Sequence, residues 1–251
     1  MKLTPEERKQ KKARFNALTP KQKLEHIWLY QRLPIILVII AISLLVSGIH
    51  RAVTHKAPVL YVGFLNVSVG SELESELTEC YLVSRGYDPN REEILLYKDL
   101  YITNNPSAEN HEYAYASSMK IMATINSKEL DLVLMNREAY DLCSGSGYLL
   151  DLTSLFSPGD PRNDAIAPYL TSNLVVLEDN ATEFNLGEAE EYIAVTESSP
   201  NALALSKLPL FEQAGFSGEV YLGIIANTPR QSACTNYITF LIPPSPEENA
   251  F

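Results

Sequence analysis

Val59-Leu60-Tyr61-Val62-Gly63-Phe64-Leu65 is a continuous apolar run. It is too short to span a membrane, and it lacks the alternation of a strand with one wet face. Such a run reads as a β-strand buried on both faces, the kind found inside a parallel sheet. The chain that follows supports this. Gly70-Ser71 opens a helix in which Ser71 and Glu74 have the spacing of a capping box. Leu73, Leu77, Cys80/Tyr81 and Val83/Ser84 form its apolar stripe, and Gly86 closes it. Residues 93–97 (EILLY) are a second strand. Asn105-Pro106 begins a helix with Tyr115, Met119, Met122 and Ile121/Ile125 facing inward, and residues 130–135 (LDLVLM) are a third strand, followed by a short helix from 137 to 142. Strands of this length alternating with helices predict an α/β fold, a mostly parallel sheet with right-handed crossovers and helices on both faces.

The middle of the chain, 151–218, has a different texture and reads as a small second lobe. Ser157-Pro158-Gly159-Asp160-Pro161 is a turn, and 174–177 and 192–195 read as strands separated by an acidic loop. The leucines at 203, 205, 208 and 210 mix periods of two and three. Residues 220–226 (VYLGIIA) are the last strand. Thr228-Pro229-Arg230-Gln231 then starts a helix that buries Ala233/Cys234, Tyr237, Ile238 and Leu241, and Pro243-Pro244 stops it before an acidic tail, 243–251.

Charge divides the chain at a second apolar stretch, LPIILVIIAISLLVSGI (33–49), which holds no charged residue. Residues 1–32 carry nine Lys/Arg against three acids, a net of +6; the remaining residues carry 11 bases and 28 acids, a net of -17. Positive charge beside a span marks its cytoplasmic side. The reading is a single-pass cell-membrane protein: a basic cytoplasmic segment (1–32), an uncleaved signal anchor forming a transmembrane helix (33–50), a spacer (51–58) and an extracellular domain (59–242). Capping boxes at Thr4-Pro5-Glu6-Glu7 and Thr19-Pro20-Lys21-Gln22 predict two short helices before the span. Trp28 and Tyr30, with Arg32 and Arg51 bracketing the span, suit the membrane interface. The lipid bilayer is thus an expected partner. The acidic outer domain argues against nucleic acid. Cys80, Cys143 and Cys234 share no metal-ligand spacing; they read as small buried side chains, with one disulfide left open.

The order of segments from 59 to 241 resembles the solute-binding proteins of the periplasmic binding protein-like II class. VLYVGFLN (59–66) is similar to the opening strand of that class. LDLVLMN (130–136), with Arg137-Glu138-Ala139-Tyr140 and Gly147-Tyr148-Leu149-Leu150-Asp151-Leu152, is similar to its third strand, short helix and following segment. EVYLGIIANTPR (219–230), with the helix through Ile238-Thr239-Phe240-Leu241, is similar to its late return strand and helix. The basic helix, the aromatic pair and the anchor also resemble uncharacterised membrane-anchored proteins of Gram-positive bacteria. The resemblance implies two α/β lobes closing on a solute held in the cleft between them, and an ABC importer as a membrane partner. This chain departs from the class in its reduced second lobe and in having a transmembrane helix where a lipid-anchor Cys is usual.

In a parallel sheet, ligands sit beyond the carboxyl ends of the strands. That rule nominates Asn66 and Ser68 after the first strand, Asp99 and Tyr101 near the second, Asn136 and Arg137 after the third, and Asn227, Thr228 and Arg230 after the last. Ser71 and Thr228 add helix starts, which favour anions. The competing reading is that Ser71, Asn105 and Thr228 are only helix caps. Asn66 and Asn136 are explained less readily by capping and rank first. Catalytic signals are weak. His111-Glu112 lacks a second His, Cys143-Ser144-Gly145-Ser146-Gly147 does not fit a nucleophile elbow, and residues 88–93 lack the Gly and distal Glu of a calcium loop. The expectation is therefore no enzyme, no metal and no cofactor. The chain would be either a small-solute binder or an envelope interaction module in which the binding fold docks a protein partner.

Overall fold

The computed structural model describes residues 36–47, isolated positions before them, and residues 56–105, 110–180, 193–216 and 218–244. The chain separates into two compact units, 1–55 and 56–251. In the first unit, residues 36–47 form a helix, α1, whose residues are all exposed. Among the described residues no helix is long and apolar enough to cross a membrane. The two N-terminal capping-box helices and Trp28, Tyr30, Arg32 and Arg51 lie outside the described residues.

The second unit is α/β and is built on one six-stranded sheet. In chain order it contains β1 (Ala57–Leu65), α2 (Ser71–Ser75), a π-helical turn (Glu76–Cys80), α3 (Tyr81–Ser84), β2 (Glu92–Leu100), α4 (His111–Asn126), β3 (Leu132–Met135) and α5 (Arg137–Gly145). After these come α6 (Pro161–Ile166), β4 (Leu170–Asp179), β5 (Ala194–Ala204), α7 (Pro209–Gln213), β6 (Tyr221–Ile224) and α8 (Gln231–Leu241). The strand order is β2-β1-β3-β6-β5-β4.

The apolar run at 59–65 is the centre of the parallel half, since β1 pairs in parallel with both β2 and β3. Its alternate side chains feed two cores. Leu60, Val62 and Phe64 meet Leu73, Leu77 and Tyr81 and, from α8, Tyr237 and Ile238 on one face. On the other, Leu65 meets Ile121 and Ile125 of α4 and Tyr140 and Cys143 of α5. Helices thus cover both faces. The expectation of a mostly parallel sheet needs correction, because β6, β5 and β4 are antiparallel to their neighbours. The link from β5 to β6 carries only the five residues of α7 as helix, about 7.5 Å of rise. β6 runs back from the end at which β5 finishes, antiparallel to it.

Further local expectations are also corrected. Residues 151–218 form no separate lobe; β4 and β5 extend the same sheet within one compact unit. The leucines at 203, 205, 208 and 210 mixed two periods because a strand ends at Ala204 and a helix starts at Pro209. The capping box at Ser71 does not form. Gly70 is the N-cap, and the Glu74 carboxylate instead pairs with Lys98 at 2.6 Å. In α4 the inward residues are Ala114, Ser117, Ile121 and Ile125, leaving Tyr115, Met119 and Met122 exposed. This helix carries two apolar stripes, and the one with the small residues packs inward. All three cysteines are free; Cys143 and Cys234 are buried, whereas Cys80 is exposed.

β5 pairs with β6 only at Leu203 and Ala204. From Ala194 to Ala202 it pairs with β4 alone, so the two strands leave the sheet as a ribbon. Backbone of residues 148–150 takes the vacated side of β6: Leu149 bridges Ile225, and Leu150 N donates to Ile224 O at 2.8 Å. Gly223 is the position in β6 that permits this approach, since a Cβ there would meet Leu149 Cδ2 at 2.9 Å and Met135 Cε at 3.2 Å.

Candidate functional site

The antiparallel β6 splits the nominated residues between opposite ends of the sheet. Asn66, Ser68, Ser71, Asp99, Tyr101, Asn136 and Arg137 lie toward the carboxyl ends of β1, β2 and β3. Asn227, Thr228 and Arg230 follow β6 and therefore lie at the amino end of β3, beside Asp131. A single binding edge does not form from the full set.

At the carboxyl end, the two first-ranked asparagines are occupied by backbone. Asn66 has φ 57°, a left-handed conformation that asparagine tolerates better than most residues. Its Nδ2 donates to Ile102 O at 2.7 Å, and its Oδ1 accepts from Ile102 N at 2.8 Å. The side chain ties the end of β1 to the segment after β2. Asn136 is the N-cap of α5, its Oδ1 accepting from Ala139 N at 2.9 Å. The expectation that capping explains these two less readily is therefore corrected for Asn136; Asn66 caps no helix, but its amide is held by the Ile102 backbone. Asp99, also at φ 57°, gives its carbonyl to the Tyr113 hydroxyl. Tyr101 is half-buried, and Ser68 and Ser71 are exposed.

Arg137 sits over two stacked rings, Tyr140 and Tyr221, whose centroids are 4.7 Å apart. It pairs with Asp141 at 3.0 Å and donates to Tyr221 Oη at 3.4 Å, and that phenol donates to Glu219. Burial, and then the Glu219 carboxylate, push the Tyr221 phenol up. The guanidinium is thus paired with one carboxylate and reaches a second only through the Tyr221 phenol, an arrangement that reduces its positive field for an anionic solute. Below it lies a buried polar relay. Tyr140 Oη donates to Asn201 Oδ1 at 2.8 Å, Asn201 Nδ2 to Ser144 Oγ at 2.8 Å, and Ser144 Oγ to Leu174 O at 2.9 Å. Asn201 and Ser144 have no exposed surface. This relay fastens α5 to the root of the ribbon.

At the amino end, the organising group is Asp131, fully buried. Its Oδ2 accepts from Tyr61 N at 2.9 Å and from Arg230 Nε at 2.8 Å, and its Oδ1 accepts from the Thr228 hydroxyl. Arg230 also stacks on Tyr61, 4.6 Å from the ring centroid, and donates to Lys128 O. Thr228 Oγ1 accepts from Arg230 N at 3.0 Å, and Asn227 Nδ2 donates to Ile125 O at 2.9 Å. The cluster therefore bolts β1, β3 and the start of α8 together. Burial pushes the nearby Cys234 thiol up to about 12, so it stays protonated at neutral pH.

Sequence reasoning missed Asp131, Tyr140, Ser144, Asn201 and Tyr221. Asp131 had a visible signal, a lone acid inside the apolar run 130–135. Tyr221 had none, because its place beside Arg137 depends on the direction of β6. Two clefts flank these elements. One, of about 180 Å³, lies between α4 and α5 and includes Ile102, Ile121, Met122, Cys143, Ser146 and Tyr148. The other, of about 290 Å³, lies beside α2 with Glu72 and Glu76 in its wall; two carboxylates there oppose anion capture at that helix start. Among the described residues no group of three or more His, Cys, Asp or Glu is placed to hold a metal ion.

Comparisons with protein-family models, with curated proteins and with solved structures find no match for this chain.

Proposed function

We propose that residues 56–244 are a protein-interaction module, held at the outer face of a cell membrane by the stretch 33–49, and that the β4–β5 ribbon is its docking element. The observation that carries this is the exposure of Leu174, Leu177 and Val195 on a two-stranded ribbon that has left its sheet, with Ile193, also exposed, just before β5. Isolated two-stranded ribbons are marginal in water, and exposed apolar side chains grouped on one are a common mark of a binding surface. Glu178, Asp179 and Glu197 lie among them. The partner that suits this chemistry is a protein with an apolar surface bordered by Lys and Arg. The competing reading is solute capture, linked to an importer. It is supported by the parallel β2-β1-β3 half, whose loops after β1 and β3 flank the point where crossovers diverge. The occupied amides of Asn66 and Asn136, and the separation of Arg230 from Arg137, favour the interaction module.

The test is a photo-crosslinker at position 177 of the full chain in its membrane, with position 83 as an exposed control. The expected result is one discrete heterologous adduct from 177 and none from 83, reduced by Glu178→Lys with Glu197→Lys. A panel of amino acids, peptides, sugars and oxyanions is screened alongside by thermal shift. A solute that stabilises by about 2.7 kcal/mol at a hundredfold excess over its Kd, with the effect lost in Ser68→Ala or Arg137→Ala and no adduct at 177, would sink the interaction reading and establish the other.

A further inference from the structure

Strand register fixes the direction in which the β4–β5 ribbon points. β1 is parallel to β3, β6 is antiparallel to β3, and β5 is antiparallel to β6, so β5 runs in the same sense as β1. Phe64, Leu134, Leu222 and Leu203 are successive partners across these strands and mark one level of the sheet. From that level β1 reaches back seven residues to Ala57 and β5 nine residues to Ala194, about 23 Å and about 30 Å of strand. Asp179 pairs with Ala194, so the free end of the ribbon is the end of β4 and the start of β5. That free end and the start of β1 therefore lie on the same side of the sheet, the amino side. Twist over the three intervening strand pairs, about 60–75° in all, swings the ribbon aside without reversing it. Ser68, beyond the carboxyl end of β1, lies on the opposite side.

The amino side is also where the chain enters the domain. Seven residues, 50–56, join the apolar stretch 33–49 to Ala57, and in any conformation they reach at most about 25 Å. We propose that the ribbon docks in cis: its partner is an integral protein of the same membrane, whose extracellular surface carries an apolar patch rimmed by Lys and Arg. This rests on the reading of 33–49 as an anchor and of the ribbon as a docking element, and it adds where the partner stands. Charge selects a protein over the lipid. Leu177 and Val195 near the free end, and Ile193 just before β5, are exposed with Glu178, Asp179 and Glu197 among them. At the root, Asp141 accepts from Asn173 and Asp151 from Ser199, while Arg137 is paired with Asp141. The sequence has no Lys, Arg or His from 163 to 206. Carboxylates set among the apolar side chains oppose entry into the acyl region, and anionic headgroups repel them. A basic rim on a protein instead satisfies the carboxylates while the apolar side chains are covered. The rest of the amino side is balanced in charge, with Lys56, Arg91 and Lys128 against Asp88, Glu92 and Glu129, and Arg230 paired to Asp131. No net charge there drives that side away from the bilayer.

The full chain in its membrane, with the photo-crosslinker at position 177, is compared with two versions of altered tether. A run of about twelve prolines inserted after Arg51 adds a rigid spacer of about 37 Å, and a Gly-Ser insert of the same length is the flexible control. The expected adduct is with a protein that stays in the membrane after alkaline extraction. It falls at least tenfold with the proline insert and less than threefold with the Gly-Ser insert. A second measurement needs no partner. Leu177→Cys and Ser68→Cys, each in a Cys80→Ala background, are labelled with a fluorophore; Cys143 and Cys234 are buried. Energy transfer to acceptor-labelled lipid headgroups is expected to be at least twofold greater from 177 than from 68. A soluble partner, or an adduct unchanged by the proline insert, overturns docking in cis while the ribbon remains a docking element. No protein adduct from 177 with the native tether sinks that reading and this inference together. An adduct with lipid alone overturns the inference in favour of the bilayer itself. Transfer from 68 equal to or above that from 177 overturns it by placing the ribbon on the side away from the membrane.

Discussion

Tyr81 shows how a single hydroxyl can oppose the packing around it. Its ring is fully buried and meets Tyr237 edge-on at 4.8 Å and Phe240 at 5.4 Å, contacts that favour an aromatic ring there. Its Oη, however, has no hydrogen-bond partner among the described residues. The neighbouring Tyr237 differs, donating to Leu77 O at 2.9 Å inside the π-helical turn. A buried donor without a partner costs about 1–3 kcal/mol. Tyr81→Phe removes that penalty and keeps the ring, so the expected outcome is a domain about 1 kcal/mol more stable in urea unfolding. The matched substitution Tyr237→Phe removes a satisfied bond and lowers stability. If both substitutions destabilise equally, the Tyr81 hydroxyl has a partner after all. Nothing in the sequence separates these two tyrosines. Each stands on an apolar helical stripe, and only the three-dimensional position of the Leu77 carbonyl distinguishes them. Asn136 makes the same point at the candidate site: its cap role is set by the boundary between β3 and α5, whereas its type alone equally suggested a ligand contact.

The elements were legible to different degrees for a physical reason. The runs at 59–65 and 130–135 and the helices after them are local patterns, and they reappear as β1, β3, α2 to α3 and α5. Strand direction is not local. The half of the sheet made by β6, β5 and β4 is set by pairings between residues far apart in sequence, β6 lying antiparallel to both β3 and β5, and this moved Thr228 and Arg230 to the far end from Asn66. The sheet edges are also guarded in ways that no pattern announces. At β4, Leu174 N is capped by the Asn173 side chain at 2.8 Å and Leu174 O accepts from Ser144. At β2, the bulge near Asp99 and the charges of Lys98 and Asp99 interrupt the open edge. The Tyr140–Asn201–Ser144 relay is what joins the ribbon to α5. Tyr140→Phe leaves the buried Asn201 Oδ1 without its donor, at an expected cost of about 1–3 kcal/mol. Hydrogen exchange is the discriminating readout: amides of β4 and β5 should accelerate while those of β1 and β3 do not. Uniform acceleration across the sheet would show that the relay supports the whole domain rather than the ribbon.

For the whole molecule, buried phenols set the alkaline limit. Desolvation pushes Tyr81 and Tyr140 up to about 12, and Tyr237 is raised further by the same cause. An unfolded tyrosine ionises near pH 10. A group with a raised folded pKa contributes stability that is complete below its unfolded pKa and is lost as pH rises toward the folded one. Stability should therefore be level with respect to these groups up to about pH 10 and fall steeply between about 10 and 12. Unfolding midpoints across that range test this, and Tyr140→Phe with Tyr81→Phe should shallow the fall. A slope unchanged in the double variant would place the alkaline limit elsewhere.

The position of β6 has a consequence for the order in which the protein can be made. It is the last of the described strands, yet it lies between β3 and β5 in the sheet. A growing or emerging polypeptide can assemble β1, β2 and β3 and, separately, the β4–β5 ribbon, but until residue 224 is released the two pieces have no strand to join them. The Asp131 carboxylate likewise waits for Thr228 and Arg230. Completion of the domain is thereby reserved for its carboxyl terminus: a nascent chain halted before β6 holds an open central seam, and closure of that seam by one short strand converts two fragments into a single cooperative body.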